Sequence, residues 1–158
     1  MELNPAIPLH FIDGPILLRL GAAAVLGLLL GLDRELRGHP AGLRTHGILC
    51  FTCALMTISA IALHKQFMDE GNIDPLRVFE ASAAFTGIIA AGLIVFNKGE
   101  VKNITTAAHI WLTGMTGIAC GAGQWPLVVS AAIVAVVMLT LLGFVEHRWL
   151  KTKDEEAD

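Results

Sequence analysis

Charged residues in this chain fall in short clusters, separated by apolar runs of 17 to 20 positions. An α-helix rises 1.5 Å per residue, so each run is long enough to cross roughly 30 Å of bilayer hydrocarbon. Five runs can be marked, at 15–32, 46–63, 78–96, 105–121 and 126–145. A backbone in lipid must satisfy its own hydrogen bonds, and helices of this length do so internally, which leaves no role for open strands. The pattern predicts an all-α integral membrane protein, a bundle of five transmembrane helices over 15–145. A segment 1–14 precedes it and a polar tail 146–158 follows. Only 16% of residues are charged, against about a quarter in soluble domains. No basic face interleaved with aromatics is present, which excludes nucleic acid as a partner and leaves the lipid bilayer as the main one. No serine–histidine–acid order, phosphate loop or metalloprotease motif occurs, so the expectation is a protein that is not an enzyme.

Orientation follows from the loops. Eight Lys and Arg lie in the first and third connectors and the tail, against two in the second connector and none in the N-terminal segment or the fourth. Positive residues favour the cytoplasm, which sets the N-terminus outside, in the periplasm, and the C-terminus inside. The first fourteen residues contain no Lys or Arg and so lack the basic start of a signal peptide. The first apolar run is therefore expected to persist as a helix.

The spans differ in how closely they can be approached. Ala23, Gly27 and Gly31 form a row of small residues on the first. Ala83, Gly87 and Ala91 do so on the third, beside Gly92, and Gly114, Gly117 and Gly121 on the fourth. Small rows let helix backbones meet where lipid gives little apolar driving force. Helices one, three and four are expected to make the tight centre, with the fifth peripheral and a homo-oligomer formed through small-residue faces. Cys50 and Cys53 form a CxxC and Cys120 stands alone, all within apolar runs. With no second pair and no polar loop around them, they read as packing residues rather than a redox or zinc site.

Two polar constellations remain. Arg19 and Glu80 each lie about one turn in from the outer end of their helices, a matched depth that suggests an intramembrane ion pair; the alternative is separate snorkelling. At the inner face, Asp33, Arg34 and Glu35 end the first helix, and Arg44, Thr45 and His46 begin the second. Thr105, Thr106 and His109 open the fourth, and Thr105, His109, Thr113 and Thr116 form a polar stripe along it. If helices one, two and four adjoin, these residues build a polar pocket open to the cytoplasm. Asp33 and Glu35 are the candidate ligands for Mg²⁺, which takes one or two carboxylates and keeps several waters. The arginines equally suit an anion or a partner's carboxylate. The structural alternative is that the charges pair among themselves and the threonines bond nearby carbonyls. His10, His39, His64 and His147 read as loop or interface residues.

The stretch GLDRELRG–AGLRTH resembles the signature between the first two helices of the MgtC/SapB family of bacterial inner-membrane proteins. The likeness continues in DPLRV at 74–78 and in VKNITTAAHIWLTGMTGIACGAG at 101–123, and covers roughly 18–123. Two departures stand out. Asp33 occupies a position where the family favours Glu, and the third helix reads FTGIIAAG against a pattern close to GIGFLGAG, keeping Gly87 and Gly92. Many members also carry a cytoplasmic C-terminal domain resembling ACT-type modules, which the thirteen residues after Val145 are too few to form. The resemblance implies an inner-membrane protein linked to magnesium limitation, virulence or acid stress, one that regulates membrane machines such as ATP synthase through a membrane protein partner. A small transporter or channel for Mg²⁺ or another ion is the competing reading.

Overall fold

Helices account for nearly all of the regular structure among the described residues. The structure, a computed structural model, describes residues 13–66, 74, 76–97 and 99–138. The segment 1–12, most of the second connector, and 139–158 with the polar tail lie outside the described residues, as do His10 and His147. Helix α1 spans Gly14–Leu36, and Asp13 caps it by accepting a hydrogen bond from the Ile16 amide at 3.2 Å. It ends in a Schellman turn: Gly38 takes φ +68°, and the His39 amide reaches back to the Arg34 carbonyl at 3.0 Å. Helices α2 (Leu43–Gln66), α3 (Leu76–Leu93) and α4 (Ile104–Ala122) follow. Helix α5 is described over Trp125–Met138.

Three of these helices, Gly14–Leu36, Leu43–Lys65 and Leu76–Leu93, are long and apolar enough to cross a membrane. Helix α4 has the length, at 19 residues, but carries four threonines and a histidine. Side chains such as Leu17, Leu29, Phe85, Ile88 and Val136 are exposed, an apolar surface that a bilayer would cover.

The third helix is shorter than its apolar run suggests. It stops at Leu93, and Val95–Asn97 pairs antiparallel with Glu100–Lys102 in a two-stranded hairpin, which corrects the purely helical reading. β-Branched and aromatic residues suit the strands, and Gly99 turns at φ +86°. Asn103, itself at φ +68°, donates from Nδ2 to the Leu93 carbonyl at 3.0 Å and so ties the hairpin to the end of α3.

Helix α4 is the hub, packing on α1, α2 and α3, while α1 also lies along α2. Its glycines make this possible. A Cβ at Gly117 would lie 2.3 Å from the Cys50 carbonyl oxygen, one at Gly121 2.5 Å from that of Ala54, and one at Gly114 2.7 Å from the Thr86 methyl. On α1, Gly27 meets Cys50 and the His46 carbonyl, and Gly31 meets the connector at Gly42. Ala23, Cys50, Ala54, Ala119, Cys120 and Val128 form the small-residue core where α1, α2, α4 and α5 cross. All three cysteines are buried and free, in keeping with a packing role.

The expected rows on α1 and α4 therefore lie at crossings, but the row on α3 does not. A Cβ at Gly87 or Gly92 would meet nothing within 4 Å, and Ala91 is exposed. The buried face of α3 is instead Ser82, Thr86 and Ala90, one residue round the helix. The second helix, rather than the third, joins α1 and α4 at the centre.

The expected Arg19–Glu80 pair is also corrected. Arg19 donates from Nη1 to the Gly121 carbonyl at 3.1 Å, and its guanidinium lies against Gly123, where α4 ends at φ +72°. Glu80 is exposed and makes no ion pair among the described residues. Arg19 thus caps the negative end of α4, where a cation and its hydrogen bond stabilise by about 1 kcal/mol. Arg19→Leu is expected to lower the thermal midpoint in detergent, and Glu80→Leu to leave that loss unrescued. Recovery in the double variant would restore the ion pair.

Candidate functional site

The C-terminal turn of α1 and the first turns of α2 and α4 converge at one end of the bundle. Gly31 allows the convergence, since a Cβ there would come within 2.8 Å of the Gly42 carbonyl oxygen and the Leu43 Cα. The connector is further shaped by Ala41, at φ +60°, which packs against the cluster of Ala90, Ala107 and Ile110 between α3 and α4.

The acids at this end are in structural use. Asp33 pairs with Arg37 at 2.8 Å, one helical turn on, at the surface. Glu35 accepts a hydrogen bond from the Leu43 amide at 3.1 Å and so satisfies one of the orphan donors that begin α2. Gly42 is the counterpart of that cap, because a Cβ there would overlap the Glu35 carboxylate. Among the described residues, no three histidine, cysteine or acidic side chains are grouped as metal ligands. Asp33 and Glu35, the candidate Mg²⁺ ligands, are each engaged by a separate partner.

What the three helices enclose is basic. Arg34 is 4% exposed and His46 fully buried. Arg34 donates from Nη2 to the Thr106 hydroxyl. The Nδ1 of His46 lies 3.0 Å from the Gly42 carbonyl. A carbonyl only accepts, so Nδ1 carries the proton and Nε2 is left as a lone-pair acceptor in the neutral ring. His109, one turn inside α4, stands within electrostatic range of Arg34, His46, Asp33 and His39. Three buried nitrogens in this group, Arg34 Nε, His46 Nε2 and His109 Nδ1, have no hydrogen-bond partner among the described residues. Each such atom costs about 1–3 kcal/mol if nothing satisfies it.

Of the residues marked in the sequence, Arg34 and Thr106 are in contact, and His46 and His109 lie within electrostatic range of Arg34. Arg44, Thr45 and Thr105 are exposed. The polar stripe on α4 is partly self-satisfied, since Thr113 donates to the His109 carbonyl at 2.7 Å and Thr116 to that of Leu112 at 2.9 Å. The structural alternative thus holds for those threonines and for Asp33 and Glu35, but not for the buried basic group. His39, read as a loop residue, belongs to the electrostatic surroundings of His109; its position beyond the helix end gives no periodic signal.

Small-residue helix crossings, an apolar outer surface and apolar helices long enough to cross a bilayer mark a helical membrane protein, with a buried basic cluster at one end. The chain belongs to the MgtC family, whose model matches residues 20–148. It is similar to the protein SapB of Bacillus subtilis, at 31% identity over 151 residues, 94% of this chain and 65% of that protein. The "Putative magnesium transporter YhiD" of Escherichia coli K12 is 31% identical over 125 residues, 78% of this chain and 58% of that one. The protein MgtC of Salmonella typhimurium LT2 is 30% identical over 128 residues, 81% of this chain and 52% of that one. The chain thus spans about half to two thirds of the length of these relatives. No solved structure gives a significant match.

Proposed function

We propose that this chain is a non-enzymatic inner-membrane protein that modulates a membrane partner or magnesium homeostasis under stress. In this reading all five helices cross the membrane, with the N-terminus outside and the C-terminus cytoplasmic, as the excess of Lys and Arg in the first and third connectors and the tail supports. The basic cluster then lies at the cytoplasmic face, and the small residues left uncovered on α3 suit contact with a second copy.

One observation carries the choice of modulator over conduit. The ionisable side chains buried between α1, α2 and α4 are the Arg34 guanidinium and the His46 imidazole, with His109 half-buried nearby, while the nearby carboxylates are engaged at the surface or in a helix cap. Mg²⁺ gives up its waters reluctantly and is held through carboxylates, and a buried guanidinium repels it. The name of the E. coli relative favours the second reading, a transporter for Mg²⁺ or another ion.

The two separate in liposomes loaded with a magnesium-sensitive dye. Wild type and Asp33→Ala are both expected to match empty vesicles. Flux through wild type that Asp33→Ala abolishes would overturn the modulator reading.

A further inference from the structure

We propose that Arg34, His46, Thr106 and His109 form a binding site for a phosphate group. The inference rests on the inner-face assembly of α1, α2 and α4, and does not depend on whether the protein conducts ions.

Arginine stays charged at any physiological pH, and here it is 4% exposed. No carboxylate pairs with it among the described residues, since neighbouring Asp33 is engaged by Arg37 at 2.8 Å. A buried charge is tolerated when it is both paired and hydrogen-bonded. Arg34 has a hydroxyl partner but no carboxylate in direct contact, and Asp33, the negative charge beside it, is shared with Arg37, so the component that would complete the site is an anion.

The open atoms specify which kind. The Nε and Nη2 of a guanidinium form the edge that grips two oxygens of a carboxylate or phosphate side by side. In Arg34, Nη2 is lent to the Thr106 hydroxyl and Nε is buried and unpaired. His46 contributes an acceptor, Nε2, because its Nδ1 proton is taken by the Gly42 carbonyl. His109 Nδ1 is the third open atom, on a different helix. An anion serving a guanidinium edge and an imidazole lone pair together needs acceptor oxygens and a hydroxyl of its own. Protonated phosphate has both; sulfate has only acceptors. Free inorganic phosphate and the phosphate of a lipid headgroup share the acceptor chemistry, and only the free ion brings the hydroxyl.

The test uses the full chain in dodecyl maltoside micelles, which contain no phosphate. Sodium phosphate is titrated at constant ionic strength and followed by calorimetry and thermal midpoint, with sodium sulfate in parallel. Saturable binding of phosphate is expected, with sulfate weaker. Arg34→Met should weaken phosphate binding at least about tenfold, the scale of a lost charge-assisted hydrogen bond, and Thr106→Val, which removes the hydroxyl that holds Nη2 in place, should weaken it as well. Thr106→Val retains the charge and the packing, and so reports on the site if Arg34→Met fails to give monodisperse protein. In a second arm without free phosphate, phosphatidylglycerol is added. Stabilisation by the lipid alone, lost in Arg34→Met, would assign the site to a headgroup. Absence of saturable binding in both arms would overturn the proposal, as would equal stabilisation of wild type and both variants.

Discussion

Gly117→Ala is expected to cost about 1–3 kcal/mol, the range for forcing extra atoms into a packed core, and Gly117→Leu to remove the folded, monodisperse species altogether. Both replacements raise intrinsic helix propensity, by as much as about 1 kcal/mol, so the loss must come from packing. The Cβ would lie 2.3 Å from the Cys50 carbonyl oxygen and 2.9 Å from the Cys53 Cβ. Neither neighbour is the loose end of a flexible side chain. One is helix backbone, and the other is attached directly to it. Helices in lipid gain little from apolar burial and depend on such close approach, so pushing α2 and α4 apart removes much of what holds the hub together. Gly92→Ala is the control, because a Cβ there meets nothing within 4 Å. Its thermal midpoint should be unchanged or slightly raised. Tolerance of Gly117→Leu, read by size-exclusion profile and thermal midpoint in detergent, would mean that α2 and α4 do not cross at this glycine.

The contrast between these glycines separates what residue spacing carries from what packing decides. Charge segregation locates the helices because membrane thickness fixes their length. The rows on α1 and α4 are legible because glycine recurring at every third or fourth position of an apolar helix serves close approach and little else. The row on α3 misleads because two adjacent faces are both built of small residues, Ala83–Gly87–Ala91 and Ser82–Thr86–Ala90. The hydroxyls of Ser82 and Thr86 give the latter face the wetter pattern. In the structure Thr86 donates to the Ser82 carbonyl at 2.8 Å, and Thr57 to that of Cys53 at 2.8 Å. A threonine satisfied by its own helix packs as a small apolar residue would, and composition does not reveal that satisfaction.

The site divides similarly. Residue type and nearness to helix ends mark its members, but geometry sets which of them pair. Asp33–Arg37 follows from a spacing of four. The contact between Arg34 and Thr106 spans 72 positions and depends on how α1 meets α4. Arg19 is misread from the sequence for the same reason, since its partner is a backbone carbonyl, which no pattern of side chains displays.

Arg34→Met should separate stability from binding. Replacing buried ionic groups by apolar ones of similar volume is often neutral or stabilising by about 1–4 kcal/mol, because the desolvation of charge is relieved. Arg34 has no carboxylate in direct contact, and Asp33 beside it is shared with Arg37, so in phosphate-free micelles the variant should unfold at the same temperature as wild type or higher. Thr106 loses its partner in the exchange, but a threonine hydroxyl can bond its own helix, as Thr113 and Thr116 do. Adding phosphate should reverse the order. A ligand that binds only the folded state stabilises by an amount that grows with its concentration, about 2.7 kcal/mol at a hundred times Kd. Wild type should therefore gain steadily across a phosphate series while Arg34→Met stays flat, and the two midpoint curves should cross. A variant less stable than wild type at every concentration, with parallel curves, would make Arg34 a structural residue whose charge is offset within the protein. Crossing curves would show that the buried guanidinium is held at a cost to the fold that only its anion offsets.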